Sequence, residues 1–339
     1  MKSATVKILE CVPNISEGRD AAIIEAIAQC IRLVKGVKLL HIDSGLAANR
    51  TVYTFAGEPE AVLEAAFQMY LKAYELIDMS KHLGTHPRQG AVDVCPFIPL
   101  QGITMNEVID YTVRLALKLE EAINIPGYYY EYSAVHPERV NLAFLRKGQY
   151  EALPIKFDTL PPDFGDVENW KRSGVTVMGA RRLLIAYNVN LNTKDVAIAK
   201  KIASNVRESG KWEIAESGER SKVFGKLKSV KGLGWYIEDF QKAQVSYNLT
   251  DITEAGMLDV FLATQEEAEK LGAKVTGSEL VGLAPMSEFQ KVAQHSHPGQ
   301  TFTNDEAIAA ASKFLGLDEL KPFDPNEKII ERLIDTEEV

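Results

Sequence analysis

Hydrophobic and polar positions along this chain switch between a strand-like and a helical period, and the switches mark out its elements. Val6 to Val12 is an apolar run that reads as a first strand, and Pro13 ends it. Asp20 opens a helix whose apolar positions Ile23, Ile24, Ile27, Ile31 and Val34 recur at three and four residues, with Gly36 as its stop. Val37 to Ile42 and Thr51 to Phe55 read as two more strands. Pro59 suits the first turn of a helix that continues to about Leu76. A turn rich in His, Gly and Pro follows, then an apolar strand from Ala91 to Ile98. The order is β-α-β-β-α-β, the split pattern of a ferredoxin-like unit. A helix from Asn106, with Thr104 and Glu107 in capping-box spacing, and a strand over Tyr128 to Tyr132 extend it.

Arg146 to Gly174 shows neither period and is rich in Pro, Gly and Asp, so it reads as a long ordered loop or a domain connection. Beyond it the same order is expected a second time. Arg181 to Leu191 is a strand, Thr193 caps a helix through Val206, and Gly234 to Ile237 pairs with Gln244 to Leu249. Met257 to Leu271 is a helix and Lys274 to Leu283 a strand. Lys211 to Gly225 is polar and reads as an exposed excursion. Thr303 and Glu306 form a second capping box for a helix over Asp305 to Leu315, stopped by Gly316, before a charged terminal helix. The two halves share an order of elements and no residue-level repeat.

At 339 residues the chain is long for one core and comfortable for two, so two domains of roughly 150 residues are expected. The formal net charge of −9 disfavours a nucleic-acid or anionic-membrane partner, whose phosphates the bulk of the surface would repel. It leaves room for an anionic small molecule, which responds to the local field of a cleft. Cys11, Cys30 and Cys95 are odd in number and too widely spaced for a zinc site or a disulfide framework. With no N-terminal apolar segment and no apolar run of membrane length, the expected setting is the cytoplasm.

The candidate chemistry gathers at Met79 to Leu100, MSKHLGTHPRQGAVDVCPFIPL, where prolines fix the backbone and Gly84 and Gly90 permit turns around two histidines and an arginine. On a helix, His82 and His86 would share one face as metal ligands do. Gly84 and Pro87 disfavour that helix, and no third ligand stands nearby, so no metal is expected. A loop histidine serves either as a solvated or capping group or as a proton carrier. Asp43 and Asn49-Arg50, at the ends of the neighbouring strands, favour proton transfer on an anionic substrate. Asp43 also reads as a turn former before Ser44-Gly45. Gly232 and Gly234 lack the third glycine of a dinucleotide site, and no Walker or G-x-S-x-G pattern is present. Tyr128 to Tyr132 reads as strand packing, Glu279 as a cleft contact or an outward charge, and His295 and His297 as exposed loop residues.

Several long blocks resemble the formiminotransferase domain family, in order and nearly to Phe323. They are ECVPNISEG from Glu10, NRTVYTFAG from Asn49, ELIDMSKHLGTHPRQGAVDVCPFIP from Glu75, YEALP at Tyr150, PDFG from Pro162, GWY from Gly234, AQVSYNL from Ala243 and GSELVGLAP from Gly277. The resemblance implies an α/β (α+β) fold of two subdomains with a substrate cleft between them. The expected boundaries are 1–178, 179–325 and a terminal tail, 326–339.

The implied activity is transfer of the formimino group of N-formimino-L-glutamate to N5 of tetrahydrofolate, a step of histidine degradation, by a homodimer with folate as co-substrate. The family's catalytic histidine falls on His86, in its H-P-R element, and not on His82. Its folate-associated segment falls on Gly165 to Gly174, and further site positions fall on Asp43, Tyr130 and Glu279. The expectation is that His86 carries protons, Asp43 orients its ring, and Arg50 and Arg88, with Asn49 adjoining, hold carboxylates. Glu279 stands where the bifunctional relatives carry glutamine, and Gly165 to Gly174 keeps little beyond its flanking glycines. The chain stops after the transferase part, so no cyclodeaminase activity is expected. Two alternatives stand beside this reading: a formyltransferase acting on N-formylglutamate, and a folate-binding protein without turnover.

Overall fold

The computed structural model describes residues 6–214 and 219–334, so 215–218 of the polar excursion and 335–339 of the tail lie outside the described residues. The chain divides into two compact units, one running to Arg182 and one from Leu183.

The first unit begins β1 (Ile8–Cys11), β2 (Asn14–Ile15), α1 (Ala21–Arg32), β3 (Val37–Gly45), β4 (Arg50–Gly57), α2 (Pro59–Leu76) and β5 (Val92–Gln101). β1 and β2 are one line of chain interrupted at Pro13. Both pair antiparallel with β4 on one side and β5 on the other, and the carbonyl of Pro13 still accepts from the Tyr53 N–H. With β3 on the outer edge of β4, the antiparallel order β3-β4-β1-β5 is that of a ferredoxin-like sheet.

Continuing the chain, α3 (Met105–Ala122) leads to β6 (Gly127–Tyr129). Then come α4 (Leu142–Leu145), α5 (Leu153–Thr159), α6 (Trp170–Ser173) and β7 (Thr176–Ala180). β7 inserts between β5 and β6, parallel to both. The expected strand to Tyr132 stops three residues early, because Glu131 adopts a φ of 52° and turns the chain into a short 3-10 helix. The sequence reading missed β7. All five of its residues are buried, so it lacks the alternation that marks a half-exposed strand.

The stretch expected as a long loop is instead packed structure. α1, α2 and α3 cover one face of the sheet over Leu9, Tyr53, Phe55, Cys95, Phe97 and Met178. Leu145 of α4 and Leu153 of α5 bury Val94, Tyr128, Tyr130 and Val177 in a second, smaller core. Val177 and Met178 alternate between the two cores, so these cores lie on opposite faces of the sheet. The loop-like segment is thereby fixed beside β5.

The second unit repeats the order with β8 (Ile185–Leu191), α7 (Val196–Val206), the exposed hairpin β9 (Lys211–Ile214) and β10 (Arg220–Val223), β11 (Val230–Ile237), β12 (Lys242–Leu249), α8 (Met257–Lys270) and β13 (Val275–Leu280). Its antiparallel sheet runs β11-β12-β8-β13, again ferredoxin-like. Asp195, and not Thr193, caps α7, its carboxylate accepting from the Ala197 N–H. There follow α9 (Met286–Ser296), α10 (Asn304–Leu315), α11 (Pro325–Lys328) and α12 (Ile330–Ile334). α9 was missed in the sequence, although Met286, Phe289, Val292 and Ala293 mark its buried face. His295, expected in a loop, lies in its last turn. Among the described residues no helix is long and apolar enough to cross a membrane.

Candidate active site

The turn between α2 and β5 carries both histidines, and their hydrogen bonds separate their roles. His82 is buried, with Nε2 2.8 Å from the carbonyl oxygen of Asn49. A carbonyl only accepts, so Nε2 bears the proton and Nδ1 is left to accept from Nε of Arg88 at 3.3 Å. Both ring nitrogens are used. This imidazole ties the turn to the start of β4.

His86 is half-buried, and its Nδ1 lies 2.7 Å from the carbonyl oxygen of its neighbour Pro87. The same rule places the proton on Nδ1, which leaves Nε2 with its lone pair and no partner among the described residues. Arg50 Nη1 also lies 3.3 Å from Nδ1, but two donors face each other there, so this is a contact of charge. Burial, then Arg50 and then Arg146, lower the pKa of His86 against the opposing pull of the Pro87 carbonyl. The ring is therefore held neutral, in one tautomer, with a basic nitrogen free.

The charged groups around it converge on Asp93, the one acid within the apolar run of β5. Its carboxylate is fully buried, and Oδ2 accepts from Nη1 of Arg50 and from Nη2 of Arg146, each at 2.7 Å. Oδ1 accepts from the Gln89 N–H at 2.8 Å. Lys156, on α5, donates to the side-chain oxygen of Gln89 at 3.2 Å and to the carbonyl of Leu145. Burial lowers its pKa to about 8 against the attraction of Asp93. The sequence reading missed Asp93, Gln89, Arg146 and Lys156. An acid inside a buried strand was the available signal for Asp93; Arg146 and Lys156 had none.

The other expected site residues fall in several places. Arg88 is spent within the protein: its two terminal nitrogens grip Glu151 at 2.9 and 2.7 Å, and the remaining donors face His82 and Gln149. Asn49 adopts a φ of 50°, and its amide bridges the Gly18 N–H and the Leu83 carbonyl. Asp43 is exposed on the edge strand β3 and has no hydrogen bond or ion pair to His86 among the described residues, whereas the Pro87 carbonyl is bonded to the ring's Nδ1. Tyr130 is buried under Leu145 and Leu153, which pushes its hydroxyl pKa up.

Gly165 and Gly174 both take positive φ, of 74° and 70°, where the chain passes close to other backbone. Gly174 forms a bridge with Gly90, and the neighbouring Val175 N–H reaches the Gln89 carbonyl, so the segment's end is stitched to the turn bearing His86. Glu279 belongs to the second unit, where it accepts from the amides of Asn188 and Gln244 at 3.2 and 3.3 Å.

A neutral imidazole beside paired guanidinium groups on a ferredoxin-like sheet defines a class of site able to move a proton next to an anion. Comparison with known proteins supplies the family. The model of the formiminotransferase domain's N-terminal subdomain matches residues 8–181, and that of the formiminotransferase domain matches 186–335. The chain belongs to the formiminotransferase family. It is 43% identical over 337 residues to formimidoyltransferase-cyclodeaminase of Mus musculus, covering 97% of this chain and 60% of that protein. It thus spans about three fifths of the length of that relative. Glutamate formimidoyltransferase of Streptococcus pyogenes is 40% identical, with 85% of this chain and 93% of that one covered. The protein of the same name from Thermoplasma acidophilum is 37% identical, with 86% and 92% covered.

Proposed function

We propose that this chain is a glutamate formimidoyltransferase, moving the formimino group of N-formimino-L-glutamate to N5 of tetrahydrofolate. The observation that carries the reading is the free Nε2 of His86, held as a base by the Nδ1–H bond to Pro87 within a chain of this family. The reaction exchanges one C–N bond for another at the amidine carbon. A proton must leave the incoming nitrogen and another must reach the departing glutamate nitrogen. His86 serves both needs, because a neutral imidazole takes the first proton at Nε2 and returns one from the same atom. Asp93 and the two arginines fix the position of the ring's surroundings, so the rate also draws on alignment of the two reactants. Gly165 to Gly174 is the folate-side segment in this proposal, and the histidine-degradation role and the dimer belong to it as well.

The test incubates purified protein with tetrahydrofolate and either N-formimino-L-glutamate or N-formyl-L-glutamate, following the pterin absorbance. Turnover with the formimino donor is expected, falling at least a hundredfold in His86→Ala while folate binding persists. His82→Ala is expected to lower the melting temperature and retain measurable turnover. Normal turnover in His86→Ala, or inactivity confined to His82→Ala, rejects the assignment; preference for the formyl donor replaces it with the formyltransferase.

A further inference from the structure

Two arginines share one carboxylate in this site, and neither is fully used. Arg50 gives Nη1 to Asp93 and Nε to Asn14 at 3.0 Å, leaving Nη2 with no partner among the described residues. Arg146 gives Nη2 to Asp93, while its Nη1 has no partner there and its Nε is both buried and unbonded. The side chain of Arg146 is only 14% exposed. Of these donors Nε of Arg146 is the buried one, and a buried donor left unmade is destabilising. The side-chain nitrogen of Gln89, fully buried on the same turn, is likewise unbonded.

The charges point the same way. Arg50 and Arg146 carry two positive charges against the single negative charge of Asp93, and Lys156 adds a third cation beside Gln89. By contrast Arg88, the arginine the H-P-R element offers, is neutralised by Glu151 and has its donors filled. An excess of positive charge with unfilled planar donors matches a carboxylate, which accepts from such a fork at both oxygens.

We propose that Arg50 and Arg146, aligned by Asp93, form the carboxylate-binding fork that holds the amino-acid donor beside His86, and that Arg88 plays no part in it. Asp93 is a positioning residue: it touches no substrate and sets the spacing of the two guanidinium groups. The proposal rests on the reading of the site as a formimino transferase, since that reading makes the ligand a glutamate derivative. A folate also carries a glutamyl carboxylate, so the test separates the two sources.

Titration calorimetry measures L-glutamate and tetrahydrofolate separately against the whole protein. Arg146→Gln is expected to weaken L-glutamate tenfold to a hundredfold and leave tetrahydrofolate within twofold. Unchanged glutamate affinity, or a loss confined to tetrahydrofolate, overturns the proposal. Should Arg146→Gln fail to fold, Arg146→Lys keeps the charge and loses the fork; at least threefold weaker glutamate supports the proposal and unchanged affinity overturns it.

Asp93→Asn adds to the net positive charge, so a role through bulk charge tightens glutamate, whereas loss of alignment weakens it. Weakening is expected, and tightening removes Asp93 from its positioning role. If the wild type fails to transfer a formimino group yet Arg146→Gln still weakens glutamate, the functional reading falls and the fork stands. If His86→Ala is inactive while Arg146→Gln binds glutamate normally, the fork alone falls.

Discussion

Nη1 of Arg50 lies 3.3 Å from Nδ1 of His86, a fixed cation beside a ring nitrogen that already carries its proton. Adding a second proton to that ring places two positive charges in contact within a half-buried site. Burial and Arg50 therefore lower the pKa of His86, and the basic form persists into mildly acidic solution. The acid limb of kcat/KM is expected below the ordinary histidine value of about 6.5. A limb at neutral pH or above shows that another group carries the proton.

Glu10 supplies a second pH dependence, in stability. Its carboxyl is buried on β1 with Oε2 unbonded, and burial raises its pKa to about 7 despite Arg181. A folded-state value above the unfolded one stabilises the fold below the unfolded pKa, and that contribution is lost as pH rises through about 7. Glu10→Gln removes the titration. Relative to wild type, the variant is expected to gain roughly 3 kcal/mol between pH 4.5 and pH 8, read from denaturant melts at each pH. An offset that stays constant over that range contradicts the assignment.

Gly174 tests the attachment of the α6 segment to the turn. It sits at φ 70°, ψ −149°, and an added Cβ would stand 2.0 Å from the Gln89 carbonyl oxygen. Gly299 also has positive φ, at 83°, but its Cβ would meet nothing within 4 Å. Gly174→Ala is expected to lose about 3 kcal/mol or more, through strain and a clash beside the site. Gly299→Ala should lose only about 1 kcal/mol. Equal losses in the two variants would show that Gly174 does not clamp that turn.

Much of the fold was legible in local pattern. The twice-repeated β-α-β-β-α-β order, the capping boxes at Thr104 and Thr303, and Gly316 with its φ of 62° all depend on residues within a few positions of one another. β7 was not legible, because a strand buried between β5 and β6 shows no alternation of its own. Nor was the pairing of Cys11 with Cys95. Their sulfurs lie 3.5 Å apart, as free thiols, only because β1 and β5 are neighbours in the sheet.

By itself the sequence determined the twice-used β-α-β-β-α-β order and that a histidine-proline-arginine turn precedes β5. Tertiary structure alone decided what each side chain there can do. The resemblance alone separates His86 from His82 in the sequence, and only the folded chain shows why they differ: one has both nitrogens bonded and the other keeps one free. Arg88 is consumed by Glu151, 63 residues further on, while Asp93 is shared with Arg146, 53 residues away. Hydrogen bonding and burial set a side chain's charge and availability, and those partners come from segments that only folding brings together.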